Sequence, residues 1–185
     1  GIPSFVVFIL GWLYRHYITG RSQGGTTTLY PRLKVHLVDI INDSFGNYLI
    51  QKMIEKLNKE NLVNLINIIN ENFLLLAKNP QGTRVIQKLF EYSKCEVFEE
   101  NMISYTLELL KDNNGYHIVL KYTSNNKKSE QIGKIIEDNM LDIAINKFGC
   151  CAIQKYLQLF PDDNIIRRII ASTGELIVNI YGNYV

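Results

Sequence analysis

The chain has 185 residues, 46 % of them hydrophobic, and a net charge of only +2. That is enough apolar material for a core, while the near-neutral balance argues against a broadly basic surface that would grip nucleic acid by charge alone. The three cysteines form no CxxC pair and the three histidines are scattered, which argues against a disulfide framework or a zinc site and leaves a reducing compartment as the default.

Residues 1–30 stand apart from the rest. The run FVVFILGWLY at 5–14 is too short to span a bilayer, which takes about 20 apolar residues. It has the length of a signal peptide's apolar core, but no basic segment precedes it and no small-residue cleavage site is clear. GRSQGGTTT at 20–28 reads as a linker. The first 30 residues are expected to be a non-repeat apolar segment and linker, foreign to the domain or a hydrophobic cap, with one repeat domain over 31–185. The start at Gly1 and the stop inside a motif read as a fragment.

From residue 30 the pattern is helical throughout and no strand pattern appears, so the expected fold class is all-α. A first helix is expected over 33–41, with Leu33, Leu37, Ile40 and Ile41 inward, followed by a helix from Gly46 to about Leu57. Asn58, Lys59 and Glu60 are expected to turn the chain. Leu62, Val63, Leu65, Ile66, Ile69, Phe73 and Leu76 predict one helix ending near Lys78. Further helices are expected over 102–110, from Gly115, over 132–144, over 149–160 and over 165–170, with 124–129 a loop and His36 structural.

One short stretch recurs along these elements. Gly46, Gly82, Gly115, Gly149 and Gly182 lie 36, 33, 34 and 33 residues apart, a period that belongs to helical solenoids. Asp43, Asn79, Asp112, Asn146 and Asn179 stand three residues before each glycine, where a short side-chain oxygen can cap a helix start. Pro80 suits a first helical position. The glycine falls in the first turn, where a missing side chain lets another backbone approach. Apolar pairs follow at 49–50, 85–86, 118–119 and 152–153, with more apolar residues one turn on, making one buried stripe per helix.

The remaining positions of the stretch are not explained by packing. Asn47 and Gln51 are four residues apart and share a helix face distinct from the apolar one, with Tyr48 beside them. Thr83, Arg84 and Gln87 repeat the arrangement, as do Cys150, Cys151 and Gln154. Amides and flat side chains spaced along one groove suit unstacked bases, the amide reading an edge and the flat group stacking on a face. Lys52, Lys88, Lys121 and Lys155 follow the fifth position, a row suited to phosphates or simply a solvated face. No nucleophile–base pair, phosphate loop or metal cluster is present, so neither an enzyme, a cofactor nor a metal is expected.

These cores, GNYLIQK, GTRVIQK, GCCAIQK, the divergent GYHIVLK and the opening GNYV, resemble the Pumilio (PUF) family over about residues 32–185. The resemblance implies a right-handed curved α-solenoid of three-helix repeats, four complete and a truncated fifth, similar to about repeats two to six of the usual eight. It implies one base per repeat, with the first and fifth residues after the glycine on the base edge and the second stacking between bases. Packed helices sit about 8–10 Å apart whereas stacked bases rise only about 3.4 Å, so the bases must be splayed by wedged side chains. On that basis Asn47/Gln51 with Tyr48 resembles a uracil reader. Thr83/Gln87 with Arg84 and Cys150/Gln154 with Cys151 resemble adenine readers, although Cys151 is a poor stacker. Asn183 with Tyr184 opens another uracil reader. His117 matches a stacking position, but Tyr116 and Leu120 depart from the pattern, and leucine cannot hydrogen-bond a base, so that repeat is expected to be unselective.

The family's antiparallel binding implies a core 5′-UANAU-3′ in single-stranded RNA, in mRNA 3′ untranslated regions. It also implies post-transcriptional repression in the cytoplasm through recruited repressor or deadenylase proteins, with no membrane partner. Two rivals share the periodicity: a nucleolar PUF-like protein with weak sequence preference, and a TPR- or HEAT-type protein scaffold, which would not need the recurring glutamine.

Overall fold

The computed structural model describes residues 36–93, 95–125 and 130–185. The expectations for residues 1–30, for Leu33 and for most of the loop at 124–129 lie outside them. Two compact units emerge, Gly1–Ser93 and Lys94–Val185. The boundary falls just after the helix that carries the second recurring stretch. Among the described residues there is no strand, and no helix long and apolar enough to cross a membrane.

The first unit contains α1 (36–42), α2 (Gly46–Ile54), α3 (Lys59–Glu71), α4 (Phe73–Ala77) and α5 (Pro80–Tyr92). Its core is the expected stripe: Leu37, Ile40 and Ile41 of α1, Ile50, Met53 and Ile54 of α2, and Val85, Ile86, Leu89 and Phe90 of α5 are all buried. Helices α2 and α5, which carry the recurring stretch, pack on each other. The second unit holds a 3₁₀ turn (Cys95–Phe98), α6 (Glu99–Leu110), α7 (Gly115–Asn125), α8 (Glu130–Asp138), α9 (Met140–Ala144), α10 (Gly149–Leu159), α11 (Asp163–Ala171), α12 (Thr173–Val178) and a closing 3₁₀ turn (Gly182–Tyr184). There α7 packs against α10, with Ile118, Val119, Tyr122, Ala152, Ile153 and Tyr156 buried.

The start of each recurring stretch forms as its residues dictate. The side-chain oxygen of Asp43 accepts from the N–H groups of Phe45 and Gly46. Asn79, Asp112, Asn146 and Asn179 do the same for the N–H groups two and three residues on. These bonds satisfy donors that a helix start otherwise leaves orphaned. Only after Asn79 does the helix begin at once, because Pro80 presets the backbone angle of its first residue. The glycines are required by contact. A Cβ on Gly46, Gly82 or Gly149 would run into the backbone carbonyl oxygen six residues earlier, and on Gly115 it would sit 2.8 Å from that of Leu109.

Five local expectations need correction. The helix from Gly46 ends at Ile54 rather than Leu57. Asn58 does not simply turn the chain: its side chain accepts from Asn61 N–H and caps α3, which takes in Lys59 and Glu60. The long helices expected through Leu62–Leu76 and over 132–144 are each broken in two, at Asn72 and Asn139. In both, the side-chain amide donates to the carbonyl four residues back, Ile68 or Ile135, and the helix ends there. Val63 is 54 % exposed rather than inward. The helix from Gly115 also runs on to Asn125, past the expected loop start. These breaks are what give the repeats their third helix.

Candidate nucleic-acid interface

In the first, second and fourth stretches the residue after the glycine points back into its own repeat, not out as a surface position. Asn47, Thr83 and Cys150 are buried at 1, 4 and 4 % exposure, because the close approach at the glycine draws the next side chain against the preceding turn. Asn47 Nδ2 donates to the carbonyls of Asp43 and Ser44 at 2.9 and 3.0 Å. Its Oδ1 accepts from Gln51 Nε2 at 3.0 Å. The pair is therefore fixed in one orientation, with Asn47 holding Gln51 by one of its two N–H groups and leaving the glutamine to present the polar edge.

Thr83 and Cys150 dispose of their protons in a parallel way. Thr83 Oγ1 donates to Ala77 C=O at 2.8 Å, and Cys150 Sγ donates to Lys147 C=O at 3.3 Å. With its proton spent, each heteroatom has only acceptor capacity left. Burial also pushes the Cys150 thiol above its ordinary range, with the neighbouring Cys151 adding to the effect. The two sulfurs are 4.0 Å apart.

Second-position residues are exposed, as stacking requires: Tyr48, Arg84, His117, Cys151 and Tyr184. Arg84 Nη1 donates to Tyr48 Oη at 3.2 Å, so the flat groups of two successive repeats meet above the α2–α5 pair. Fifth-position Gln51, Gln87 and Gln154 are half-buried. Gln154 Nε2 donates to the Tyr184 carbonyl, tying the fourth stretch to the fifth. Asn183 is exposed in the closing 3₁₀ turn, unlike its counterpart Asn47.

The divergent stretch is built differently. Tyr116 is buried at 7 % exposure and Leu120 at 8 %. The His117 ring lies 4.0 Å from the Tyr116 ring, tilted by 31°. Burial, and then the charge of Lys155, hold the His117 pKa below the usual histidine range. Lys155, from α10, donates to Tyr116 Oη at 2.8 Å and stands 4.9 Å from its ring centre.

The lysine row is not a uniform phosphate rail. Lys52 pairs with Glu55 at 3.3 Å, and Lys88 bridges Glu55 and Glu91, both at 3.3 Å. Lys88, and then Lys52, hold the Glu55 carboxyl below its ordinary range. Sequence reading missed this acid at the ninth position after the glycine, although Glu55 and Glu91 recur in register. It also missed the approach of Lys155 to Tyr116. Its signal was present in that Ser124 and Gln158 replace the acid in the next two stretches. Among the described residues no group of His, Cys, Asp or Glu is placed to hold a metal ion.

Helical repeats with capped glycine starts, each presenting exposed second-position side chains and most a half-buried glutamine in register, define a helical-repeat binding module. The family model described as the Pumilio-family RNA binding repeat matches residues 36–69, 72–100 and 139–171. The chain belongs to the Pumilio family. The divergent stretch at 115–121 lies outside the matched segments. Suppressor protein MPT5 of Saccharomyces cerevisiae is 32 % identical over 174 residues, covering 85 % of this chain and 20 % of that protein. Pumilio homolog 11 of Arabidopsis thaliana is 28 % identical, covering 80 % of this chain and 29 % of that one. Among solved structures, the Puf4 RNA-binding domain bound to an HO endonuclease RNA 3′ UTR recognition sequence superposes with a TM-score of 0.75 at 31 % identity, over 97 % of this chain and 57 % of that one. The RNA-binding domain of yeast Puf5p bound to MFA2 RNA gives 0.67 at 29 % identity, over 96 % and 53 %. The chain thus spans 20 to 29 % of these curated relatives and a little over half of the solved domains. The expected all-α solenoid class is that of these neighbours.

Proposed function

We propose that this chain binds single-stranded RNA sequence-specifically, one base per repeat, with the core 5′-UANAU-3′, in mRNA 3′ untranslated regions. The observation that carries the reading is the paired geometry of the first two repeats: a fixed Asn47–Gln51 edge beside Tyr48 and Arg84, whose tips meet at 3.2 Å. A base entering that gap parts the two tips and stacks on the phenol and the guanidinium, an interaction worth about 1–3 kcal/mol per base.

The edges argue for the assignments. Gln51 offers an acceptor and a remaining donor to uracil, which has an N–H between two carbonyls. Thr83 and Cys150, their protons spent on Ala77 and Lys147, favour the amino group of adenine over the O6 acceptor of guanine. The resemblance of the Puf4 and Puf5p complexes supports RNA as the ligand, and the 3′ UTR sequence in the Puf4 complex supports mRNA. The consequence would be post-transcriptional repression in the cytoplasm, through recruited repressor or deadenylase proteins and with no catalytic step in the chain itself.

Fluorescence anisotropy at fixed salt with a labelled RNA containing 5′-UAUAU-3′ tests this. Changing both adenines to cytosine is expected to weaken binding by at least about tenfold, given roughly 1–3 kcal/mol per mismatched position. Equal, salt-sensitive binding to both RNAs would leave a weakly selective relative. No binding to either would favour a protein scaffold.

A further inference from the structure

We propose that Lys155 gives the divergent third repeat a base preference of its own, selecting keto bases, guanine first, at the central position of the core. This rests on the RNA-binding reading above and sharpens it, since sequence alone leaves that position unselective.

The placement of Lys155 is unlike that of its counterparts. Lys52 and Lys88 end on carboxylates, Glu55 and Glu91. In the stretches that surround Lys155 the same ninth position holds Ser124 and Gln158, so no carboxylate waits there. Lys155 instead reaches across from α10 to α7 and donates to Tyr116 Oη at 2.8 Å. Tyr116 occupies the first, base-edge position of its repeat, and Cys151, four residues before Lys155 on the same helix face, is small enough to leave the path open. The result is an ammonium held at the base edge of a repeat whose own fifth residue, Leu120, has no polar atom.

An ammonium has three N–H donors and no acceptor. One is engaged by Tyr116, leaving two for a ligand. Guanine presents O6 and N7, both acceptors, and lysine is one of the residues that pairs with that edge. Uracil presents carbonyl oxygens. Adenine and cytosine place an amino group where those oxygens stand, and an amino donor against an ammonium is repelled. Beside this edge, the exposed His117 ring, lying 4.0 Å from Tyr116, supplies the stacking face. A lysine serving only as a phosphate anchor would add affinity without discriminating bases.

The test compares 5′-UAGAU-3′, 5′-UAUAU-3′, 5′-UAAAU-3′ and 5′-UACAU-3′ on the whole chain and on Lys155→Met, which keeps the stem and removes the charge. The expected result is that the guanine RNA binds about fivefold or more tighter than the adenine RNA, and that Lys155→Met abolishes this ratio while the cost of changing the flanking adenines is unchanged. Lys155→Arg is expected to retain a guanine preference. Equal binding of all four RNAs to the unmutated chain would overturn the proposal without touching the RNA-binding reading. So would a Lys155→Met variant that loses affinity equally for all four, with a salt slope shallower by about one phosphate contact. Failure of every RNA to bind would instead strike the reading beneath it. Circular dichroism and thermal melting of the variant confirm that the comparison is made on folded protein.

Discussion

Five short side chains do one job at five helix starts, and two are aspartates while three are asparagines: Asp43 and Asp112, against Asn79, Asn146 and Asn179. The job needs only an oxygen, so the charge is an addition. Bonds from the N–H groups of Gly46, and then Phe45, hold the Asp43 carboxyl below its ordinary 3.8. A depressed carboxyl contributes stability that is present above the unfolded value and is lost as pH falls through the folded one. Asp43→Asn keeps an accepting oxygen without that titration. The two proteins are therefore expected to unfold at similar urea concentrations near neutrality and to diverge below about pH 4, the parent weakening faster. Urea midpoints measured across pH 2.5–7 for both proteins check this. Parallel curves throughout would mean that the carboxylate adds nothing the amide lacks.

At the scale of the element, the recurring glycines fix how closely the helix that each one opens sits on the end of the helix before it. Gly82→Ala would drive a methyl into the Leu76 carbonyl, and no flexible side chain is there to yield. Overpacking of this kind typically costs about 1–3 kcal/mol. Gly174, in α12, has nothing within 4 Å of where its Cβ would stand. There alanine is expected to be neutral or to gain up to about 1 kcal/mol from helix propensity. Chemical denaturation of the two variants separates these outcomes, and equal losses would refute the contact argument. The glycines were legible in the sequence because a steric need shows as a nearly constant spacing. The helix breaks were harder to see, because an asparagine inside an apolar pattern looks like an ordinary exposed residue. Yet Asn72, Asn139 and Ser172 all stand ten residues before a glycine, and all end a helix. The third stretch has Tyr105 there, and α6 runs through it unbroken. The candidate site was legible as a set of residues. What could not be read was direction: burial of Asn47, Thr83 and Cys150 depends on the turn just before each helix, and the swing of Lys155 onto Tyr116 depends on a neighbour one repeat away.

For the whole molecule, the balance of charge decides how much of any RNA affinity is electrostatic. The net charge is only +2, and Lys52 and Lys88, two of the four lysines of the row, end on Glu55 and Glu91 rather than standing ready to displace counterions from a phosphate chain. Affinity would then rest on stacking and base edges, and selectivity with it. On the proposed reading the carboxylates would act as a brake on indiscriminate binding, since they pair with lysines that would otherwise meet any RNA equally well. Replacing both acids, Glu55→Gln with Glu91→Gln, raises the net charge by two and frees the lysines at little steric cost. The expected outcome is tighter binding to 5′-UAUAU-3′ RNA and to its cytosine-substituted control alike. Selectivity between them should fall, and log K should drop more steeply with log salt, by about 0.7 for each phosphate newly contacted. Anisotropy titrations of both RNAs between 50 and 300 mM salt measure all three quantities. An unchanged slope would mean that the freed lysines do not face the RNA, and the role assigned to the acids would pass to helix pairing within the first unit.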